Sequence, residues 1–474
     1  MAQTMMKKIV ASSACLVVGL TRRTSSRSLA TASKNLNTKK ERDLPSEGEI
    51  TKSVFMSQST DIYTNLALED WMYRNMDFTN HHVMMVWRNE PCVVIGRHQN
   101  PWLEANLPLL NEKEIALARR NSGGGTVYHD RGNLNVTFFT PRERYDRKYN
   151  LELIKRALFR GFGVKSLINE RQDIIVRDKY KVSGTAAKLG RLTAYHHCTL
   201  LVNANKADLS KALAKREHGI QTNATASTRS EVANLSEVDN RVTVDSLQTA
   251  IGYEYLRTTA LSLEDGGQNQ ISKQRGFQFV NPTDDWFPGL AELKNELQTW
   301  DWCFGRTPAF TVSRSFPVPA ELLAPSKVYS ATQELAINMT VENGLIDDVT
   351  LNIPPGLVES GFHGEASVIT HLKGKRFTSE ALSALQEAML TRHLTNDVKK
   401  LDDKEQFVAK CFDQVVNTVT AAASLKAKWR WKRTKLCSSA RGDLVSRCGA
   451  SISTEEYSAL CRPPVTSFAS ETYL

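Results

Sequence analysis

Several kinds of chemistry are missing from this chain of 474 residues. Its eight cysteines stand at positions 15, 92, 198, 303, 411, 437, 448 and 461, and no two have CxxC spacing. Neither a zinc ribbon nor a redox dithiol is therefore expected. Free thiols of this kind suit a reducing compartment. No cluster of His, Asp and Glu has metal-ligand spacing, so no metal site is expected. No segment reaches the roughly 18 apolar residues needed to span a bilayer, and stable membrane insertion is not expected. No internal repeat stands out.

Positive charge is missing from the middle of the chain. The formal net charge is +10, but residues 1–43 hold nine Lys/Arg against two acids and residues 417–474 hold nine against four. The ends contribute +7 and +5, which leaves the body near −2. A near-neutral body argues against a nucleic-acid groove, and no nucleic-acid partner is expected. Acids are also missing from the first forty residues, which are rich in Ser, Thr, Ala, Lys and Arg. That is the composition of a mitochondrial transit peptide, expected over residues 1–45. A secretory signal competes through the moderately apolar stretch 9–20, but Arg22, Arg23 and Arg27 follow it without a small-residue cleavage site. After residue 417 the periodicity stops and a basic, Ser/Thr-rich tail is expected to be disordered.

What is present begins with residues 119–140, RRNSGGGTVYHDRGNLNVTFFT. Glycine tolerates positive φ and lets another group approach the backbone closely. Exposed N–H groups in such a turn make an anion-binding concavity. Arg119 and Arg120 just before it are suited to phosphate or carboxylate contacts. Residues 134–139 alternate apolar and polar, as a half-buried strand does. Around this stretch, 61–72 reads as a helix with Asp61 as N-cap. Residues 83–87 and 92–95 read as strands of a hairpin split by Asn89, Glu90 and Pro91. Residues 96–102 form a polar loop in which Arg97, His98 and Gln99 either face a ligand or satisfy the loop's own backbone. Helices are expected over 150–160, 209–214 and 242–257, and strands over 173–176, 180–183 and 195–202. After a Pro/Gly segment at 281–289 come strands at 310–316, 335–341 and 346–353, then helices near 378–392 and 404–415. His196 and His197 are adjacent in a strand and point to opposite faces, so they cannot share one metal through it.

These blocks together resemble the lipoate-protein ligase and lipoyltransferase family, nearest its animal mitochondrial branch. The glycine string carries the likeness, with KVSGTAAKLGRLTAYHHCTLL at 181–201, VVIGRHQNPW at 93–102, NATAS at 223–227 and LQTWDWCFGRTPAF at 297–310. The resemblance runs from about residue 55 to about 415. It implies an α/β (α+β) fold, a mixed and largely antiparallel sheet of the biotin/lipoate ligase type. A catalytic domain is expected over 53–285, an accessory α/β domain over 290–415 and the tail over 417–474.

The resemblance also implies an acyltransferase with no tightly bound cofactor and lipoyl-AMP, the lipoyl adenylate, as donor substrate. The partners it implies are lipoyl domains of 2-oxo acid dehydrogenase acyltransferase subunits and the glycine-cleavage H protein, in the mitochondrial matrix. Lys181 would bind the activated acyl group. Tyr128, Arg171, Thr199, Thr228 and Ser230 would line the adenylate site, with Gly124, Gly125 and Arg120 in the glycine turn. Ser230 departs from the small apolar residue expected there, which puts a side-chain contact in doubt. Cys198 as a nucleophile is the competing mechanism, without an evident base beside it. Competing functions are a complete ATP-dependent lipoate ligase, a biotin ligase and a non-enzymatic lipoyl-carrier binding protein.

Overall fold

The protein is described from a computed structural model, over residues 44–214, 219–324, 332–367, 372–378, 381 and 402–420. Apart from a few end positions, the targeting segment (1–45), the tail (417–474) and the helix near 378–392 lie outside the described residues. The described residues fall in one compact unit.

The main sheet has six strands: β1 (Thr51–Ser57), β2 (His81–Trp87), β6 (Asn133–Pro141), β10 (Ser183–Leu189), β11 (Thr193–Leu201) and β13 (Gly276–Val280). Their order is β10-β11-β6-β2-β1-β13. The first three pairings are antiparallel and the last two parallel. This is the mixed, largely antiparallel sheet expected. β3 (Cys92–Ile95), β4 (Ala116–Arg119) and β5 (Val127–His129) form a small second sheet, and β7 (Ser166–Ile168), β8 (Ile174–Val176) and β9 (Tyr180–Lys181) a third. A five-stranded sheet has the order β12-β14-β15-β16-β17, from β12 (Ile220–Thr222), β14 (Phe310–Pro317), β15 (Glu334–Glu342), β16 (Leu345–Ile353) and β17 (Gly364–Ser367).

The alternation along β6 explains the layering. Leu134, Val136 and Phe138 point into one core, shared with Leu151, Ile154 and Leu158 of the helix Arg147–Phe162 and Leu247 and Ile251 of Val244–Arg257. Phe139 points the other way, toward Leu66 and Leu68 of the helix Ile62–Asn75. That helix starts where expected, with the Asp61 carboxylate accepting the Tyr63 N–H; such a cap contributes about 1 kcal/mol. One expectation changes: β6 is buried on both faces, not half-buried. Its polar positions Asn133, Asn135 and Thr137 face an internal polar layer. Thr137 donates to Glu69 at 2.8 Å and Asn135 to the Trp87 carbonyl at 3.3 Å.

The hairpin expected between β2 and β3 is also corrected, because the two strands belong to different sheets. Asn89 in the connecting turn is fully buried. Its Oδ1 accepts from Asn65 and its Nδ2 donates to His129, each at 2.9 Å. These bonds tie the turn to the first helix and to β5, and β3 leaves to pair with β4 and β5. The five-stranded sheet shares its core with this small sheet, through Val93, Ile95, Trp102 and Tyr128. The helices Leu290–Leu297 and Trp300–Cys303 bridge two cores, with Leu290, Leu297 and Trp302 in the core of Leu66 and Phe139 and Trp300 and Cys303 in that of Val93 and Tyr128.

Candidate active site

A cavity of about 320 Å³ opens on the face of the main sheet that carries the first helix. Gly184, Thr185 and Ala186 of β10, His197, Cys198 and Thr199 of β11, Asn135 of β6 and Trp87 of β2 line it. They are cross-strand neighbours: Gly184 sits opposite Thr199, Ala186 opposite His197, and Trp87 opposite Asn135. The glycine loop between β4 and β5 and the loop Thr225 to Thr228 close the remaining sides. Its buried wall combines apolar Leu66, Trp87 and Val94 with polar Arg120, His129 and Asn135; its more exposed rim carries Lys181, Arg171 and Thr228.

Lys181 ends the short strand β9. Its Nζ lies 2.9 Å from Oδ1 of Asp173, a carboxylate buried just before β8. The β8–β9 turn brings the two together, with positive φ at Arg177 (49°) and Asp178 (58°). Lys181 is further held by its own backbone, which donates to Glu231 O at 2.9 Å and accepts from Ala233 N–H at 3.1 Å. Gly184 lies next to the ammonium, with a Cβ position there 3.9 Å from Nζ. Arg147 adds a second cation to the wall, with Nη1 on Gln172 Oε1 at 3.0 Å.

The glycine loop is held from inside. Arg120 donates from Nη2 to Gly123 O and Gly125 O, both at 2.7 Å, from Nη1 to Val94 O at 3.1 Å, and from Nε to Ser122 Oγ at 2.9 Å. Arg119 donates to the carbonyls of Gly96, Arg97, Gln99 and Cys303 and to Thr307 Oγ1. The expectation that both arginines face an anion is corrected: each is buried and holds loop carbonyls. Burial lowers both guanidinium pKa values to about 10. Gly124 has φ +85°, and a Cβ on Gly96 would meet Gly124 O at 2.1 Å, so the two loops touch backbone to backbone. Gln99 takes the second of its two readings: it is fully buried and bonds Gly96 N–H, Thr126 Oγ1 and Ser227 Oγ.

Beneath the loop lies a polar chain. His197 donates from Nδ1 to Glu69 Oε1 at 2.8 Å, which leaves Nε2 to accept from the Ser122 hydroxyl at 2.9 Å. His196, its neighbour, is fully buried on the opposite face and stacks on Phe138, as the strand argument required. His129 lines the cavity; because Asn89 Nδ2 donates to its Nδ1, its proton sits on Nε2. Burial, with Arg120 and His197 nearby, lowers its pKa to about 3. Cys198 belongs to the apolar face of β11, with its thiol donating toward Val136 O at 3.8 Å. Burial pushes that thiol up to about 12.

Of the residues singled out in the sequence, Lys181, Arg171, Thr199, Thr228, Gly124, Gly125 and Arg120 line the cavity. Two do not. Tyr128 alternates with Val127 and His129 on β5, so it points away from the cavity into the core with Val93 and Ile95. Ser230 lies beyond the lining segment of its loop. Sequence reasoning missed Glu69, Asn89, Ser122, Arg147 and Ser227. Asp173 stood beside Lys181 in the reading as a sequence neighbour only. Glu69 had one available signal, an acid on the apolar side of an amphipathic helix.

Among the described residues no group of His, Cys, Asp or Glu gathers to hold a metal ion, and no helix is long and apolar enough to cross a membrane. The fold is that of an α/β enzyme, with a cavity lined by both apolar and cationic side chains. Comparison makes the class particular. A family model described as the lipoyl protein ligase A/B catalytic domain matches residues 61–255. The chain is 42% identical over 315 residues to mitochondrial lipoyl amidotransferase LIPT1 of Mus musculus, covering 65% of this chain and 77% of that protein. It is 42% identical over 306 residues to the Homo sapiens protein of the same name, covering 64% and 76%. Among solved structures it is similar to P. falciparum LipL1 in complex with lipoate, at 24% identity and a TM-score of 0.47, covering 77% of this chain and 98% of that one. The chain belongs to the lipoate-protein ligase and lipoyltransferase family. It is an acyltransferase, and its activity is lipoyl transfer in protein lipoylation.

Proposed function

We propose that the enzyme transfers a lipoyl group to the ε-amine of a specific lysine on lipoyl domains of 2-oxo acid dehydrogenase acyltransferase subunits. The donor is lipoyl-AMP or the lipoylated glycine-cleavage H protein, and the place is the mitochondrial matrix. The observation that carries this reading is the pairing of a partly apolar buried wall with a rim bearing Lys181 and Arg171. An acyl-adenylate needs both: burial for the carbon chain and its ring, and cations for the phosphate. A volume of about 320 Å³ is at the small end of ligand pockets.

In this reading Lys181 turns from Asp173 to the acyl carbonyl and the phosphate, and stabilises the charge that develops as the mixed anhydride is attacked. Arg171 and Arg147 face the phosphate. Thr199 and Thr228 meet polar edges of the adenylate, and the backbone at Gly124 and Gly125 lies along it. Arg120 supports that backbone from behind. Ser230 acts only through its backbone, and Tyr128 supports β5 from the core. Residues 53–285 are taken as the catalytic domain and the sheet within 290–415 as the core of the accessory one. The mitochondrial names of both relatives support reading residues 1–45 as a transit peptide.

Intact-mass spectrometry of a lipoyl domain, incubated with the enzyme and each donor in turn, tests this. A gain of one lipoyl amide on one lysine is expected. Failure with both donors overturns the reading, and pyrophosphate release from ATP with free lipoate shifts it to a complete ligase.

A further inference from the structure

Amide formation leaves one demand that Lys181 does not meet. The acceptor lysine arrives as an ammonium, since a lysine titrates near 10.4, and an ammonium has no lone pair for the carbonyl. Some group at the cavity must accept a proton. The described residues lining it offer few bases. His197 has both nitrogens engaged, with Glu69 and Ser122. His129 has its Nδ1 occupied by Asn89 and its proton on Nε2, so it has no lone pair facing the cavity. Cys198 keeps its thiol on the far face of β11. Arg120, Arg147, Arg171 and Lys181 are cations.

Asp173 remains, as the one carboxylate among the described lining residues. Its Oδ1 is 2.9 Å from Lys181 Nζ, its one side-chain partner among the described residues, which leaves Oδ2 to accept. Lys181 of β9 pairs with the carboxylate, Arg147 bonds the neighbouring Gln172, and Arg171 lines the same cavity. All three are cations, and Asp173 is the carboxylate among them in the cavity lining.

We propose that Asp173 is the general base that deprotonates the acceptor lysine. This rests on the lipoyl-AMP reading of the cavity. Oδ2 takes one proton from the acceptor ε-ammonium. The freed nitrogen lone pair attacks the acyl carbonyl carbon, the C–N bond forms, and the bond from that carbon to the phosphate oxygen breaks. AMP leaves with the electron pair and takes the second nitrogen-bound proton. Asp173 then returns its proton to solvent. Lys181 and Asp173 thus divide the work, the cation on the electrophile and the carboxylate on the nucleophile.

The experiment compares two acceptors for synthetic lipoyl-AMP: a lipoyl domain, and hydroxylamine, which is already unprotonated at neutral pH. The full chain is compared with Asp173→Asn and Asp173→Glu. General-base catalysis commonly contributes about 100-fold or more. Asp173→Asn should lose about that factor with the lipoyl domain at neutral pH and keep most of its rate with hydroxylamine. Its lipoyl-domain rate should recover by about tenfold per pH unit as the free-amine fraction grows, while the unaltered enzyme's profile stays flatter. Asp173→Glu should restore part of the lipoyl-domain rate. Equal losses with both acceptors, including a variant that no longer folds, together with failure of Asp173→Glu to restore the lipoyl-domain rate, would overturn the proposal and leave Asp173 as a support for Lys181. An unaltered enzyme that reacts with neither acceptor overturns the lipoyl-AMP reading itself.

Discussion

Arg120 and Lys181 line the same cavity, and both invite the same reading as cations for an anionic ligand. Their surroundings separate them. Arg120 is 5% exposed and spends its donors on Gly123 O, Gly125 O, Val94 O and Ser122 Oγ. Lys181 is partly exposed and has one side-chain partner, the Asp173 carboxylate at 2.9 Å. A planar fork fixed by carbonyls is a structural staple. A compact ammonium on a flexible stem, with donors left over, can change partner when a ligand arrives. In the proposed mechanism Arg120 therefore sets shape, and Lys181 does chemistry.

The largest effect that bears on this contrast is loss of Lys181. Lys181→Ala should lose nearly all transfer from lipoyl-AMP, on the order of 3–4 kcal/mol of transition-state stabilisation, with little change in melting temperature. Lys181→Arg should rescue poorly, because the fork is larger and aimed differently. Initial rates beside thermal melts check both, and a drop in melting temperature matching the activity loss would break the contrast.

Arg120→Lys tests the other side. An ammonium cannot bridge two loop carbonyls and a hydroxyl at once, so the variant should be destabilised by roughly 2–3 kcal/mol. Transfer should fall only as far as the glycine loop loosens. Denaturant melts and steady-state kinetics together report this.

A smaller effect sharpens the picture of the buried wall through pH. His129 titrates near 3 in the folded protein, against an ordinary 6.5. In the unfolded chain it takes up a proton as pH falls through 6.5, and in the fold it stays neutral down to about 3. The unfolded state thus binds more protons in that window, and stability falls as pH drops from about 6.5 toward 3. His82, also held near 3 by burial, adds in the same direction. Replacing His129 with Gln should flatten the curve in urea melts taken across that range.

The smallest effect is expected at Cys198. A buried thiol held near 12 is a poor nucleophile, and Cys198→Ala should keep most of its transfer rate. A trapped lipoyl thioester on Cys198 by intact mass, with the Ala variant inactive, would break this expectation.

Local sequence determined much here. The Asp61 cap, the helices around 150–160 and 242–257 and the alternation along β6 came from side-chain period and capping chemistry, which act over a few residues. The glycine triplet announced a turn where backbone meets backbone, and Gly124 takes the positive φ that only glycine adopts freely. The opposite fates of His196 and His197 followed from the two-residue strand period alone. Sheet membership did not follow. Whether β3 pairs with β2 or with β4 and β5 is decided by Asn89 reaching Asn65 and His129, partners 24 and 40 residues away. Tyr128 turned to the core because β5 packs on the five-stranded sheet from the far end of the chain. The arginines became staples because the carbonyls that accept from them come from several loops, and Glu69 entered the site across 128 residues to reach His197. A sequence names which groups can donate and accept. Only the folded chain decides which of them are already satisfied, because a buried polar group takes whatever partner the packing brings within 3 Å.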